Sequence, residues 1–218
     1  MSASTITLTD LLPAVFADER ERHTSSEVWL TSLRFDRGGR YLVQAESGKG
    51  KTSLCAFISG LRTDYNGRIA LDGRDYATFL PEERIALRRD TFACLPQDLK
   101  LFPSLTALEN IRLKNSLTGY KTDAQILQML EALEMDELKD RPAGKLSIGQ
   151  QQRVAIVRTL CQPYDLLILD EPVSHLDERS NRTVASLIDS EISANGAGVI
   201  ITSVGNHLLL DGCDKIQL

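Results

Sequence analysis

Three groups of residues in this chain have the types and spacing to do chemistry on a phosphate. The first is the run Ala45-Glu46-Ser47-Gly48-Lys49-Gly50-Lys51-Thr52, followed by Ser53. In such a loop successive backbone N–H groups converge on the β- and γ-phosphates of a nucleotide at the positive end of a helix. Gly48 and Gly50 let the main chain approach, Lys51 adds a point charge, and the Thr52 hydroxyl is placed to ligate Mg²⁺. Where the motif begins with Gly, this chain has Ala45, a small change if its φ is negative. The second group is Asp170-Glu171, which closes the apolar run Leu166–Leu169. Asp170 would hold the metal shell and Glu171 would orient, or take a proton from, an attacking water. Gln97, in Leu95-Pro96-Gln97-Asp98, could touch the same metal. The third group is Ser147 and Gly149 in Leu146-Ser147-Ile148-Gly149-Gln150, a hydroxyl and a backbone N–H at a helix start, hence a second anion site. One nucleotide has one γ-phosphate, so the two helix starts either face each other in one chain or meet across a dimer.

These groups need elements to carry them. Tyr41–Ala45 reads as a strand entering the loop after the turn signal Asp36-Arg37-Gly38-Gly39, and Thr52–Ile58 as a helix closed by Gly60. Gly67–Gly73 reads as a hairpin-like strand, Pro81–Arg89 as a charged helix and Thr91–Leu95 as a buried strand. From Leu105 to Leu138 the pattern is helical, with Ile126, Leu127, Leu130 and Leu133 at three- and four-residue steps. Pro142 and Gly144 break it, and Ser147 is the expected N-cap of a new helix. Leu166–Leu169 and Val199–Thr202 read as further buried strands. Continuous apolar strands alternating with helices predict an α/β fold with a mainly parallel sheet covered on both faces.

The bulk numbers narrow the classes. A chain of 218 residues supports one substantial core with a smaller appended unit. Its net charge of −5 argues against a nucleic-acid partner. No stretch reaches the roughly eighteen apolar residues of a membrane span, and Met1-Ser2-Ala3-Ser4-Thr5 does not read as a secretion signal. The four cysteines, Cys55, Cys94, Cys161 and Cys213, make no C-x-x-C pair and read as reduced, buried thiols.

In their order along the chain, the phosphate loop, Gln97, the Leu146–Gln150 run, the Leu166–Glu171 strand and Ser174-His175-Leu176-Asp177 resemble the ATP-binding cassette family. The resemblance covers nearly the whole chain. It implies a P-loop NTPase (RecA-like) core with an antiparallel β subdomain and a helical subdomain at about 98–145 inserted in the core, all within one nucleotide-binding domain, 1–218. It implies hydrolysis of ATP to ADP and phosphate with Mg²⁺, Thr52, Gln97 and Asp170 lying at the metal and Glu171 acting as base. It also implies a head-to-tail homodimer in which Ser147, Ile148, Gly149, Gln150 and Asp177 act in trans on the partner's nucleotide. The stretch Leu101–Ile111 is similar to exporters of the lipoprotein-release, cell-division and macrolide-efflux type. That implies a separate permease subunit engaged through the helical insert and the Gln97 loop, and a cytoplasmic chain peripheral on the inner face of the membrane.

The chain departs from that pattern in places. The family's switch His after the last core strand falls on Val204, or on Ser203 with a one-residue slip, and His207 comes a few residues late. Losing one preorganised donor costs about 3 kcal/mol, roughly a hundredfold in rate. This makes a slowly hydrolysing, ATP-controlled regulatory module the alternative reading, unless the loop bends to let His207 serve. Ile148 replaces a Gly of the usual signature. Phe16 matches the adenine-stacking aromatic by spacing, with Trp29 and Tyr41 as rivals, and His23 and His175 read as surface or loop histidines.

Overall fold

The computed structural model describes residues 4–218. The chain begins with strands β1 (Thr5–Pro13), β2 (Ser32–Asp36) and β3 (Arg40–Gln44), then helix α1 (Lys51–Ile58). Next come β4 (Tyr65–Leu71), β5 (Arg74–Asp75), α2 (Pro81–Asp90) and β6 (Phe92–Leu95). Helices α3 (Ala107–Asn115), α4 (Asp123–Ala132) and α5 (Ile148–Thr159) precede β7 (Leu166–Asp170), α6 (Glu178–Asn195), β8 (Gly198–Ser203) and β9 (Asp214–Gln217).

The strands form two sheets. The order β2-β1-β4-β5 is antiparallel, and β6-β7-β8-β3-β9 is parallel throughout. Period-two alternation builds β1, where Ile6 and Leu8 are buried between more exposed threonines. The parallel strands β6, β7 and β8 are buried on both faces, which is why they read as unbroken apolar runs, whereas the edge strand β9 is mostly exposed. Leu42, Leu95, Leu167, Leu169, Val199 and Ile201 face a core closed by α3 to α6. Val43, Phe92, Leu166, Ile168 and Ile200 face a second core closed by α1 and the antiparallel sheet.

The run from Leu105 to Leu138 is not one helix. It breaks after Asn115, turns through Gly119, and restarts at α4, whose N-cap Thr122 accepts a hydrogen bond from the Gln125 N–H. Ile126, Leu130 and Leu133 are buried, but Leu127 is 40% exposed. One residue on from Ile126 lies about 100° round the helix, off the face that the other three share. All four cysteines are free; Cys55 and Cys161 are buried and Cys94 and Cys213 half-buried. Burial pushes the Cys94 and Cys161 thiols up to about 12. Among the described residues, no helix is long and apolar enough to cross a membrane.

Candidate nucleotide-binding site

Sheet register gathers the site. Leu95 lies opposite Leu169, Asp170 opposite Thr202, and Thr202 opposite Val43. The residues that follow on each strand (Gln97, Glu171 and the loop from Ala45) therefore emerge along one edge, the carboxyl ends of parallel strands where α/β proteins bind ligands.

The phosphate loop leaves β3 and closes at α1. Ala45 lies outside the left-handed region, whereas Gly50 has φ 97°. A side chain on Gly50 would also come within 3.0 Å of the Trp29 ring and 3.1 Å of Phe16, so only Gly fits there. Lys51 is buried, and its ammonium donates to the carbonyls of Ala45 (3.2 Å) and Glu46 (2.9 Å) and lies 3.6 Å from Glu171 Oε1. It is a cation pre-placed beneath the loop, with carbonyls where phosphate oxygens would compete.

Asp170 is 2% exposed. Its Oδ1 accepts from the Thr202 hydroxyl at 2.6 Å, while its Oδ2 is buried with no partner. Glu171 follows in a left-handed conformation, φ 52°, and its N–H donates to the Thr202 carbonyl and hydroxyl at 3.3 and 3.2 Å. Gln97 spans the gap: the Thr52 hydroxyl donates to its Oε1 at 3.4 Å, and its Nε2 donates to Glu171 Oε2 at 3.5 Å. Both bonds are long, so these groups are poised to exchange them for a better partner. Oxygen donors from Thr52, Gln97 and Asp170, with one carboxylate oxygen orphaned, fit a hard cation such as Mg²⁺. Among the described residues no cluster of three or more His, Cys, Asp or Glu forms a metal cage.

Ser147 caps α5. Its hydroxyl accepts from the Gln150 N–H at 3.3 Å and the Gln150 side chain accepts from the Ser147 N–H at 2.9 Å. Ser147 and Ile148 are exposed, Ile148 at 49%. Gly149 lies against the Ser174–Asp177 loop, where a Cβ would come 3.0 Å from the His175 carbonyl. Asp177 caps α6 by accepting from the Ser180 N–H at 2.7 Å, which holds its carboxyl below the ordinary carboxylate range.

The family profile described as ABC transporter matches residues 30–174 of this chain, which include the phosphate loop, Gln97, the α5 start and the acid pair. The chain belongs to the ABC transporter family. It is 31% identical over 190 residues to the ABC transporter ATP-binding protein YtrE of Bacillus subtilis (strain 168), covering 86% of this chain and 82% of that protein. It is 32% identical over 211 residues to the macrolide export ATP-binding/permease protein MacB of Rhodopseudomonas palustris (strain BisB18), covering 93% of this chain but only 31% of MacB. A bacterial ABC transporter cassette solved as a dimer shares the fold, with TM-score 0.74 and 23% identity over 93% of this chain and 88% of that one.

Within this cassette the three aromatic candidates separate. Trp29 is fully buried, and its indole N–H donates to the Lys49 carbonyl at 3.1 Å, so it props the phosphate loop from below. The Tyr41 hydroxyl accepts from the Asp36 N–H, at the turn before β3 and away from the loop. Phe16, in the helical segment Ala14–His23, stacks on His23 with centroids 4.3 Å apart and reaches the Gly50 side of the loop. His23 is not the surface or loop residue its charged neighbours predict. It is 7% exposed under Phe16, and burial first, then the nearby Lys49 charge, lowers its pKa from 6.5. His175 is exposed, its ring 3.0 Å from the Ser174 hydroxyl.

Val204 is 43% exposed just beyond β8. The loop after it is tied down on two sides. Asn206 Nδ2 donates to the Val173 carbonyl at 3.1 Å, and buried Asn181 grips the next residues, donating to the His207 carbonyl and accepting from the Leu209 N–H. The His207 ring has only a 3.4 Å contact with the Gly205 carbonyl. Sequence reasoning missed Thr202, Asn181 and Asn206, since a lone polar residue in a strand, helix or loop carries no pattern.

Proposed function

We propose that this chain is the ATP-binding and ATP-hydrolysing subunit of a membrane transport complex, closing as a homodimer around ATP and driving a separate permease subunit. The observation that carries the reading is the convergence of Lys51, Thr52, Gln97, Asp170 and Glu171 in one polar cluster at the strand ends, with an orphaned carboxylate oxygen among them. The loop amides from Glu46 to Ser53 and Lys51 bind the phosphates. Phe16 offers its ring to the adenine. Thr52, Gln97 and Asp170 would hold Mg²⁺, which when bound neutralises charge on the β- and γ-phosphates. Glu171 orients water and takes its proton as the water oxygen bonds to the γ-phosphorus and ADP departs. Ser147, Ile148, Gly149, Gln150 and Asp177 face the partner's nucleotide. The helical unit at about 98–145 and the Gln97 loop pass the motion to the permease, holding the chain at the inner face of the membrane.

A second reading keeps ATP-driven closure but makes hydrolysis slow, so that the chain regulates its partner. It is favoured by Val204 at the switch position and by the ties that hold His207 in place. Size analysis of Glu171→Gln tests closure. A dimer with MgATP and a monomer without it is the expected outcome, and a monomer under both conditions counts against the two-copy clamp. Turnover with and without the permease separates the readings, since stimulation supports the motor and its absence supports the regulator.

A further inference from the structure

We infer that Gln152 is a positioning residue for Glu171, tying the backbone of the proposed base to the helix that begins with Ser147; the inference rests on the reading of Glu171 as the base. Gln152 lies on α5 and is 1% exposed. Its Nε2 donates to the Glu171 carbonyl at 3.0 Å and lies 3.4 Å from the Ser174 hydroxyl. Its Oε1 accepts from the His175 N–H at 3.2 Å. Both ends of one buried carboxamide are thus spent on the segment that starts at Glu171.

Glu171 needs such support. A glutamate at φ 52° occupies a region that L-residues avoid, and it persists only where its surroundings over-determine it. Thr202 holds the peptide before Glu171 and Gln152 holds the peptide after it. With both peptide planes fixed, the direction of the Cα–Cβ bond is fixed, and with it the reach of the carboxylate toward Lys51 and Gln97. The approach of Gly149 to the His175 carbonyl packs the first turn of α5 onto the same loop. Ser147 at the tip of α5 and Glu171 at the end of β7 therefore form one rigid body. In a dimer, the grip on one nucleotide and the aim of the base at the other are set by the same unit.

Single-turnover hydrolysis of ATP by the full chain, which reads slow rates, tests this in native, Glu171→Gln, Gln152→Met and Gln152→Glu forms. Gln152→Met keeps the side chain's length and removes both bonds. It is expected to lower the saturating rate at least about tenfold, with half-saturating ATP within about twofold of native, because a misplaced base slows chemistry without loosening phosphate binding. In Gln152→Glu the protonated acid still donates to the Glu171 carbonyl and the ionised acid does not. Its rate relative to native is expected to fall as pH rises from about 6 to about 9. A native rate in Gln152→Met beside an inactive Glu171→Gln overturns the positioning role alone. A change confined to half-saturating ATP also overturns it. Full activity in Glu171→Gln removes the base reading and this inference with it. If circular dichroism shows Gln152→Met unfolded, Gln152→Asn, whose carboxamide stops one methylene short of the Glu171 carbonyl, is used in its place, and a native saturating rate in it overturns the proposal.

Discussion

Thr202 does two jobs with one hydroxyl: it donates to Asp170 and accepts from the Glu171 N–H. Thr202→Val keeps the shape, leaves both carboxylate oxygens of Asp170 unpartnered, and is expected to cost about 1–3 kcal/mol. A thermal melt reads that loss, and an unchanged midpoint would show that water replaces the hydroxyl. Mg²⁺-dependent ATP turnover is expected to drop with it. Just past the end of the same strand, the Val204 side chain has no hydrogen to donate. Val204→His is expected to raise hydrolysis by about ten- to a hundredfold, and His207→Ala to leave it unchanged, because Asn181 and Asn206 hold that loop. The opposite pair of results would make His207 the working residue.

Helix caps carry the element-scale consequences. Ser147, Thr122 and Thr106 each close a reciprocal capping box at a helix start, so three helices begin where the sequence places a small hydroxyl residue three positions before Gln or Glu. Asp177 caps α6 with a carboxylate alone. Its folded pKa lies below the ordinary 3.8, so its contribution is complete above the unfolded value and is lost as pH falls through the folded one. Asp177→Asn keeps an acceptor without the titration. The expected outcome is a shallower fall in melting temperature than native between about pH 5 and 3, and equal slopes would assign the acid sensitivity to other groups. The loop before α6 and the start of α5 are packed together at Gly149, so the Ser147 and Asp177 caps belong to one packed unit.

At the scale of the molecule, the turn between α3 and α4 is pinned to α6. Lys121 pairs with Glu191 at 2.6 Å, largely out of solvent, and the Tyr120 hydroxyl donates to Asn195 at 2.8 Å. Breaking a largely buried pair leaves a charge without its partner. Lys121→Met is expected to lose about 1–3 kcal/mol, between the exposed and fully buried limits, whereas Lys121→Met with Glu191→Leu returns close to native stability. Denaturant melts of the single and double variants measure this, and additive losses would deny the coupling. These contacts join the α3–α4 turn to α6 through side chains far apart in sequence.

The sequence by itself determined the chemistry-bearing runs and the parallel core. A phosphate loop, a strand ending in two acids, and Ser147 before a helix are local patterns, and strands buried on both faces leave long apolar runs. It could not determine what depends on register and crossing. That Asp170 keeps one oxygen free, that Thr202 and Gln152 hold Glu171 from either side, that Trp29 lies beneath the loop and that His23 hides under Phe16 are contacts between residues remote in the chain. Only the tertiary structure decided them, because a hydrogen bond or a ring stack requires two groups to share a place, and spacing along a chain does not specify that place.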